Sequence, residues 1–193
     1  MIKIKNQIIG TVVLGILALA CMSMQKIENP VKLSKVKVDK SITIAVPHDW
    51  RPMDGLDFSQ RYPSVRAPLA AYTDQDRLVD FSVNISATQW PDQNLKLAQS
   101  FFKSSVLNMF DDVTFLQEGI HTIDGKEFIF LEFESRIEGT RDDGMRSAIT
   151  RYTYIQYLIE PGRTLAFSFN CPLRIKSKWQ DTAHAMMDRI RVK

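Results

Sequence analysis

The sequence predicts an α+β domain in which an antiparallel sheet is covered by two amphipathic helices. Three observations predict it. Val79, Phe81, Val83, Ile85 and Ala87 alternate with Asp80, Ser82, Asn84, Ser86 and Thr88, the period-two pattern of a half-buried strand. The second half of the chain holds four long apolar runs separated by turn signals at Asp124-Gly125, at residues 139–144 and at Pro161-Gly162. Two further segments carry apolar residues at helical spacing, one in the middle of the chain and one at its end. Runs of strands joined by short turns lie antiparallel, and amphipathic helices need a sheet face to cover.

The elements follow in order. Residues 41–46 alternate Ile42, Ile44 and Val46 with smaller partners and stop at Pro47, which reads as a first strand. Residues 48–68 contain Trp50, Pro52, Gly55, Phe58, Tyr62, Pro63 and Pro68. Proline removes a donor and constrains its neighbour, so this stretch is expected to be a long loop with aromatic anchors and no helix. Residues 69–72 form a short strand, followed by the alternating strand at 79–87. Pro91-Asp92 opens a helix, with Asp92 or Asn94 near its first turn. Its buried stripe is Leu95, Ala98, Phe102, Val106 and Met109 or Phe110, and Asp111-Asp112 ends it. Strands are expected at 113–120, 126–137, 146–160 and 164–171, with Asp124-Gly125 as a tight hairpin turn. The last helix carries Trp179, Ala183, Met186 and Ile190 on one stripe, and Ser177 with Gln180 fits a capping box.

The N-terminus reads as an export signal. Lys3 and Lys5 precede a charge-free run at residues 8–20, which ends Ala18-Leu19-Ala20-Cys21. The run is too short for a spanning helix and has the small residues of a cleavage site. The ending resembles the lipobox of bacterial lipoproteins, with Ala18 standing where Leu is usual and Cys21 as the acylated residue. Ala18 and Ala20 also suit plain signal peptidase, which leaves soluble export as the competing reading. Several acyl chains on one residue anchor a protein stably, whereas a single chain does so marginally. Met22 after the cysteine, in place of Asp, points by the same resemblance to a periplasm-facing outer-membrane position in a Gram-negative cell. The expected organisation is a signal peptide at 1–20, a polar Lys-rich lipid-anchored tether at 21–40 and one folded domain at 41–193.

Charge and cysteines narrow the function. The formal net charge is +3, and Lys3 and Lys5 leave with the signal, so the mature chain lacks the strong basicity of a nucleic-acid binder; Lys32, Lys35, Lys37 and Lys40 cluster and read as a solvated linker near the membrane, with a lipid-headgroup contact as the alternative. There are two cysteines. With Cys21 acylated, Cys171 has no disulfide partner and sits on the apolar parity of its strand, as a buried, inert thiol.

The order of signals resembles the PsbP/DcrB-like superfamily. The resemblance rests on Ile44-x-Val46-Pro47-x-x-Trp50, the helix after Pro91-Asp92, Ile123-Asp124-Gly125-Lys126 before a long aromatic strand, Tyr152-x-Tyr154, and Phe167-x-Phe169-x-Cys171-Pro172 before a helix at Trp179. It covers about residues 41–193. It implies a curved antiparallel sheet between helices and a non-enzymatic role, since members act as assembly factors, envelope lipoproteins or chaperone-like adaptors. The family shares no catalytic residues to carry over, and fold likeness does not establish function.

Candidate chemistry is sparse. His48, His121 and His184 show no ligand spacing, no phosphate loop is present, and no serine sits in a nucleophile elbow, so neither metal nor cofactor is expected. Glu132 and Glu134 share a strand face with Arg136, and Arg151 on the next strand opposes Glu132 if the register permits. A solvated face or a cross-strand ion pair is the plain reading of these groups. Acid/base work on envelope glycans or lipids through Glu132 and Glu134 is the alternative. A third reading is a small apolar ligand held against the aromatic strand around Phe128 and Phe133. The loop at 48–68 brings together Trp50, Arg51, Phe58, Arg61, Tyr62 and Arg66, residue types enriched at interaction hot spots. The reading that gathers these features is a membrane-anchored, non-catalytic module of the cell envelope that docks a protein partner through that loop.

Overall fold

The four-strand meander forms as the turn signals predict. A computed structural model describes residues 31–61, 67–88, 90, 94–139 and 148–193. The meander consists of β6 (Asp112–Ile123), β7 (Lys126–Ile137), β8 (Ile149–Glu160) and β9 (Arg163–Pro172). Asp124 and Gly125 both take positive φ, 53° and 78°. These are the angles of the type I′ turn, whose twist matches that of the strands it joins.

The sheet extends beyond the meander. β5 (Asp80–Ile85) pairs with β9, β4 (Ala70–Thr73) with β5, and β3 (Arg51–Pro52) with β4, giving the seven-strand order β3-β4-β5-β9-β8-β7-β6. A second sheet of three strands holds β1 (Leu33–Lys37), β2 (Ile42–Pro47) and β10 (Arg191–Val192), with β2 in the centre. Helix α1 spans Gly55–Arg61, α2 Leu95–Met109 and α3 Lys176–Met187, the last preceded by a 3₁₀ turn at Leu173–Ile175.

Two cores form, one on each face of the large sheet. Phe81, Val83, Phe128, Tyr152, Phe167 and Phe169 meet Ile42, Ile44 and Val46 of β2 and Trp179, Ala183, Met186 and Met187 of α3. On the other face Ala98, Phe102 and Val106 of α2 pack on Ile129, Leu131 and Phe133 of β7. The Phe102 ring stacks on Tyr157 at 3.9 Å between centroids. This division explains why β7 reads as a nearly continuous apolar run: both of its faces are covered. The expected α+β class, an antiparallel sheet between amphipathic helices, is the observed one.

Several boundaries differ from the expectation. The stretch 21–40 was expected to be tether alone, but Leu33–Lys37 pairs in register with β2 from Leu33↔Pro47 to Lys37↔Thr43. Leu33 at its start, and Val36 with Val38 at its end, were enough to seat a strand against an already apolar neighbour. Helix α1 forms where no helix was expected, because Pro52 and Pro63 restrict only themselves and the residues just before them, leaving the interval between free. Asp54 caps it by accepting from the Asp57 amide at 2.9 Å, while the Asp57 carboxylate accepts from the Asp54 amide at 3.3 Å, a reciprocal box. The capping box expected at Ser177 is absent: α3 begins at Lys176 with no side-chain cap, and Gln180 turns to the sheet. Helix α2 is capped by Asn94, whose side chain accepts from the Leu97 amide. Strand β5 is buried on both faces at Asp80, Phe81, Ser82 and Val83, so it is no half-buried strand. Pro91, Asp92 and the turn at 140–147 lie outside the described residues.

Candidate functional site

The position of each polar side chain follows from strand parity. Even-numbered residues of β7 face α3, so Glu132 lies beneath that helix with none of its surface exposed. Tyr152 Oη and Gln180 Nε2 each donate to Glu132 Oε1 at 2.7 Å, and His184 Nε2 lies 3.1 Å from the same oxygen. Burial pushes the carboxyl pKa up, but these hydrogen bonds and the imidazole outweigh it and hold it below the ordinary carboxylate value. Burial and the Glu132 carboxylate together drive the Tyr152 phenol far above its ordinary value. Glu134 pairs with Lys176 at the start of α3, at 2.7 Å. Both glutamates therefore bind the helix to the sheet. The expectation of a solvated face is corrected, since α3 covers it.

Register corrects the position of Arg151. Glu132 is opposite Tyr154, and Arg151 is opposite Ser135. Parity then places Arg151 on the other face, beyond the end of α2, where a cleft of about 600 Å³ opens. Its walls bring together α1, the β4–β5 turn, the start of β8 and the end of β9, with Arg61, Arg77, Arg151 and Arg174 around Asp80 and Asn170.

One polar network builds these walls. Thr153 Oγ1 is 2.9 Å from Asn170 Oδ1, and Asn170 Nδ2 donates to Asp80 Oδ1 at 3.0 Å. Arg61 reaches the second Asp80 oxygen at 3.2 Å and also donates to the Arg77 carbonyl. Arg77 pairs with Asp57, and Arg51 pairs with the same carboxylate at 3.1 Å. Asp57 is fully buried; burial alone would raise its pKa, but the Asp54 amide and the two arginines hold it low. Asp80 behaves in the opposite way: burial pushes its pKa up more than Asn170, Arg61 and Arg151 pull it down. Arg151 and Arg174 form no salt bridge among the described residues.

The hot-spot residues expected in the loop at 48–68 separate. Trp50 is 7% exposed, with its ring against Phe169 and Trp179 at 6.2 and 5.5 Å between centroids. It anchors the core and offers no docking surface. Arg51 and Arg61 are partly exposed and engaged in the network, and Phe58 is half-buried in α1. Tyr62 and Arg66 lie outside the described residues, as does Cys21. Cys171 is 2% exposed and, among the described residues, unpaired, with its side chain in the core beneath α3; burial, with Asp80 and Asp74 nearby, pushes its thiol up to about 12. Phe128 and Phe133 are buried among protein side chains. Arg77 and Arg174 carried no sequence signal, because only the folded chain brings them to Arg61 and Arg151.

The fold has relatives among solved structures. Cyanobacterial PsbP from Synechocystis sp. PCC 6803 superposes with a TM-score of 0.59 at 13% identity, over 89% of this chain and 98% of its own. The Saccharomyces cerevisiae Ran-binding protein Mog1p gives 0.55 at 14%, over 84% and 96%. LpqN of Mycobacterium tuberculosis, described as involved in cell envelope biogenesis, gives 0.54 at 16%, over 86% and 92%. No protein-family model and no curated protein matches the sequence. The PsbP-like α+β fold implied by the resemblance is therefore the observed fold, and at these identities the likeness extends to fold alone.

Proposed function

We propose that this protein is a lipid-anchored, extracytoplasmic module of the cell envelope that binds a partner protein and performs no catalysis. The observation that carries the proposal is the cleft. Its walls are held by a continuous network from Thr153 to Asp57, yet Arg151 and Arg174 stay solvent-exposed at its mouth. Preorganised walls with exposed arginines that form no salt bridge among the described residues suit recognition. The carboxylates first considered for chemistry are bound to α3. The anchor is argued from Cys21 after the charge-free run at 8–20. An envelope role is in keeping with what LpqN is described as doing.

Two measurements test it. Metabolic labelling with a palmitate analogue is expected to mark the wild type and not Cys21→Ala. Equal labelling of the two, or none in either, removes the anchor. Crosslinking in cells followed by mass spectrometry is expected to recover one envelope protein reproducibly. Its failure to recover any envelope protein removes the binding role.

A further inference from the structure

Among the described residues, the sheet is open at one place in the cleft. β7 pairs with β8 from Ile137↔Ile149 onward, but pairing of β8 with β9 begins only at Arg151↔Pro172. Pro172 has no amide to donate, and the chain then turns into the 3₁₀ segment. Among the described residues, Ile149 and Thr150 thus have no strand on the β9 side. Successive residues of an antiparallel strand direct their N–H and C=O to alternate sides, so one of these two presents its pair to the cleft. An open edge of this kind accepts an added strand.

Charge and apolar surface select what is added. Of the four arginines lining the cleft, Arg61 and Arg77 form salt bridges with Asp80 and Asp57, while Arg151 acts on Asp80 only through its field and, among the described residues, neither it nor Arg174 forms a salt bridge. A guanidinium matches a carboxylate with two parallel hydrogen bonds. Ile149 and Leu78, 52% and 40% exposed, add aliphatic surface at the walls. Side chains two apart on a strand share a face, so acidic residues at that spacing would both meet the arginines.

Resting on the binding-module reading above, we propose that the cleft receives an extended acidic segment of the partner. Its main chain lies along the β8 edge at Ile149 and Thr150, and its carboxylates meet Arg151 and Arg174. A lone phosphoryl group would engage the arginines but use neither the strand edge nor the aliphatic walls.

Fluorescence anisotropy with the mature protein tests this. The probes are labelled ten-residue peptides with three Glu at alternate positions among Val and Thr, and the same peptides with Gln in place of Glu. Inorganic phosphate and phosphatidylglycerol vesicles serve as competitors. The Glu peptides are expected to bind with an affinity that falls as salt rises. The Gln peptides are expected to bind at least tenfold more weakly. Arg151→Ala/Arg174→Ala is expected to lose at least tenfold for the Glu peptides with its circular dichroism unchanged, while Lys178→Ala on the opposite face loses nothing. Arg151→Glu/Arg174→Glu is expected to prefer the corresponding Lys peptides, which keeps the test independent of alanine effects on folding. Equal binding of Glu and Gln peptides, wild-type affinity in the double alanine variant, or displacement by phosphate or vesicles at concentrations below those of the peptide would overturn the proposal. If crosslinking still recovers a partner in any of those cases, the binding-module reading stands and only this site is wrong.

Discussion

Glu132 shows how a single side chain changes meaning once its neighbours are known. Its folded pKa lies below the ordinary value, so its contribution to stability is fully present above the unfolded pKa and is lost as pH falls through the folded one. Tyr152 of β8 and Gln180 and His184 of α3 face it. Glu132→Gln removes a charge-accepting oxygen from buried donors, and a loss of about 1–3 kcal/mol at pH 7 is expected. Urea unfolding at a series of pH values should show the gap between wild type and variant closing toward acid. A gap that stays constant with pH would mean the carboxylate charge contributes nothing. At the same scale, Cys171 should resist a bulky maleimide in the native protein and react on unfolding, because its thiol is both covered and pushed up to about 12. Fast native labelling would contradict the burial.

At the scale of elements, the β6–β7 hairpin depends on two positive φ angles, and Gly125 at 78° holds one of them without steric cost. Gly125→Ala should lower stability by about 1–2 kcal/mol. Asp124→Asn should change it little, since Asn tolerates the same region. Thermal unfolding of both variants checks the contrast; equal effects would mean that turn geometry does not limit the hairpin. Helix α3 is held differently. It lacks a side-chain cap, and its place depends on Trp179, Met186 and Met187 in the core and on Lys176–Glu134 at its start. Trp179→Ala should cost about 3–5 kcal/mol and also loosen Trp50, which shares the contact.

At the scale of the whole molecule, the domain begins before the expected boundary at 41. β1 completes the three-strand sheet, and Leu33 and Val36 pack against the core. A chain starting at residue 31 should melt with the same midpoint as one starting at residue 22. One starting at 41 should lose about 2 kcal/mol, from the apolar surface of three part-buried side chains, Leu33, Val36 and Val38, or several degrees in midpoint for a domain of this size. Equal midpoints for all three would return residues 31–40 to the tether. The two faces of the large sheet carry different jobs. One is sealed by α3 and the small sheet, while the other is covered by α2 over β6–β8 and left polar over β5 and β9. The cleft lies on that polar part.

What short-range physics encodes was legible in the residues alone. Period-two and helical spacing located β2, the strands from β4 to β9, α2 and α3, Asp124-Gly125 set the hairpin, and the parity of Cys171 with Phe167 and Phe169 predicted its burial. The PsbP-like α+β class followed from the order of those signals. Tertiary structure alone decided the site. Whether Arg151 stands over Glu132 or behind it depends on the register of β7 against β8, and a change of one residue moves every side chain to the other face. The cleft joins Arg61, Arg77, Arg151 and Arg174 from four separate segments, and no local pattern records that meeting. Trp50 could be read as a docking anchor or as a lid on the sheet, because a large aromatic suits both. Only the presence of Phe169 and Trp179 beside it settled which role it plays.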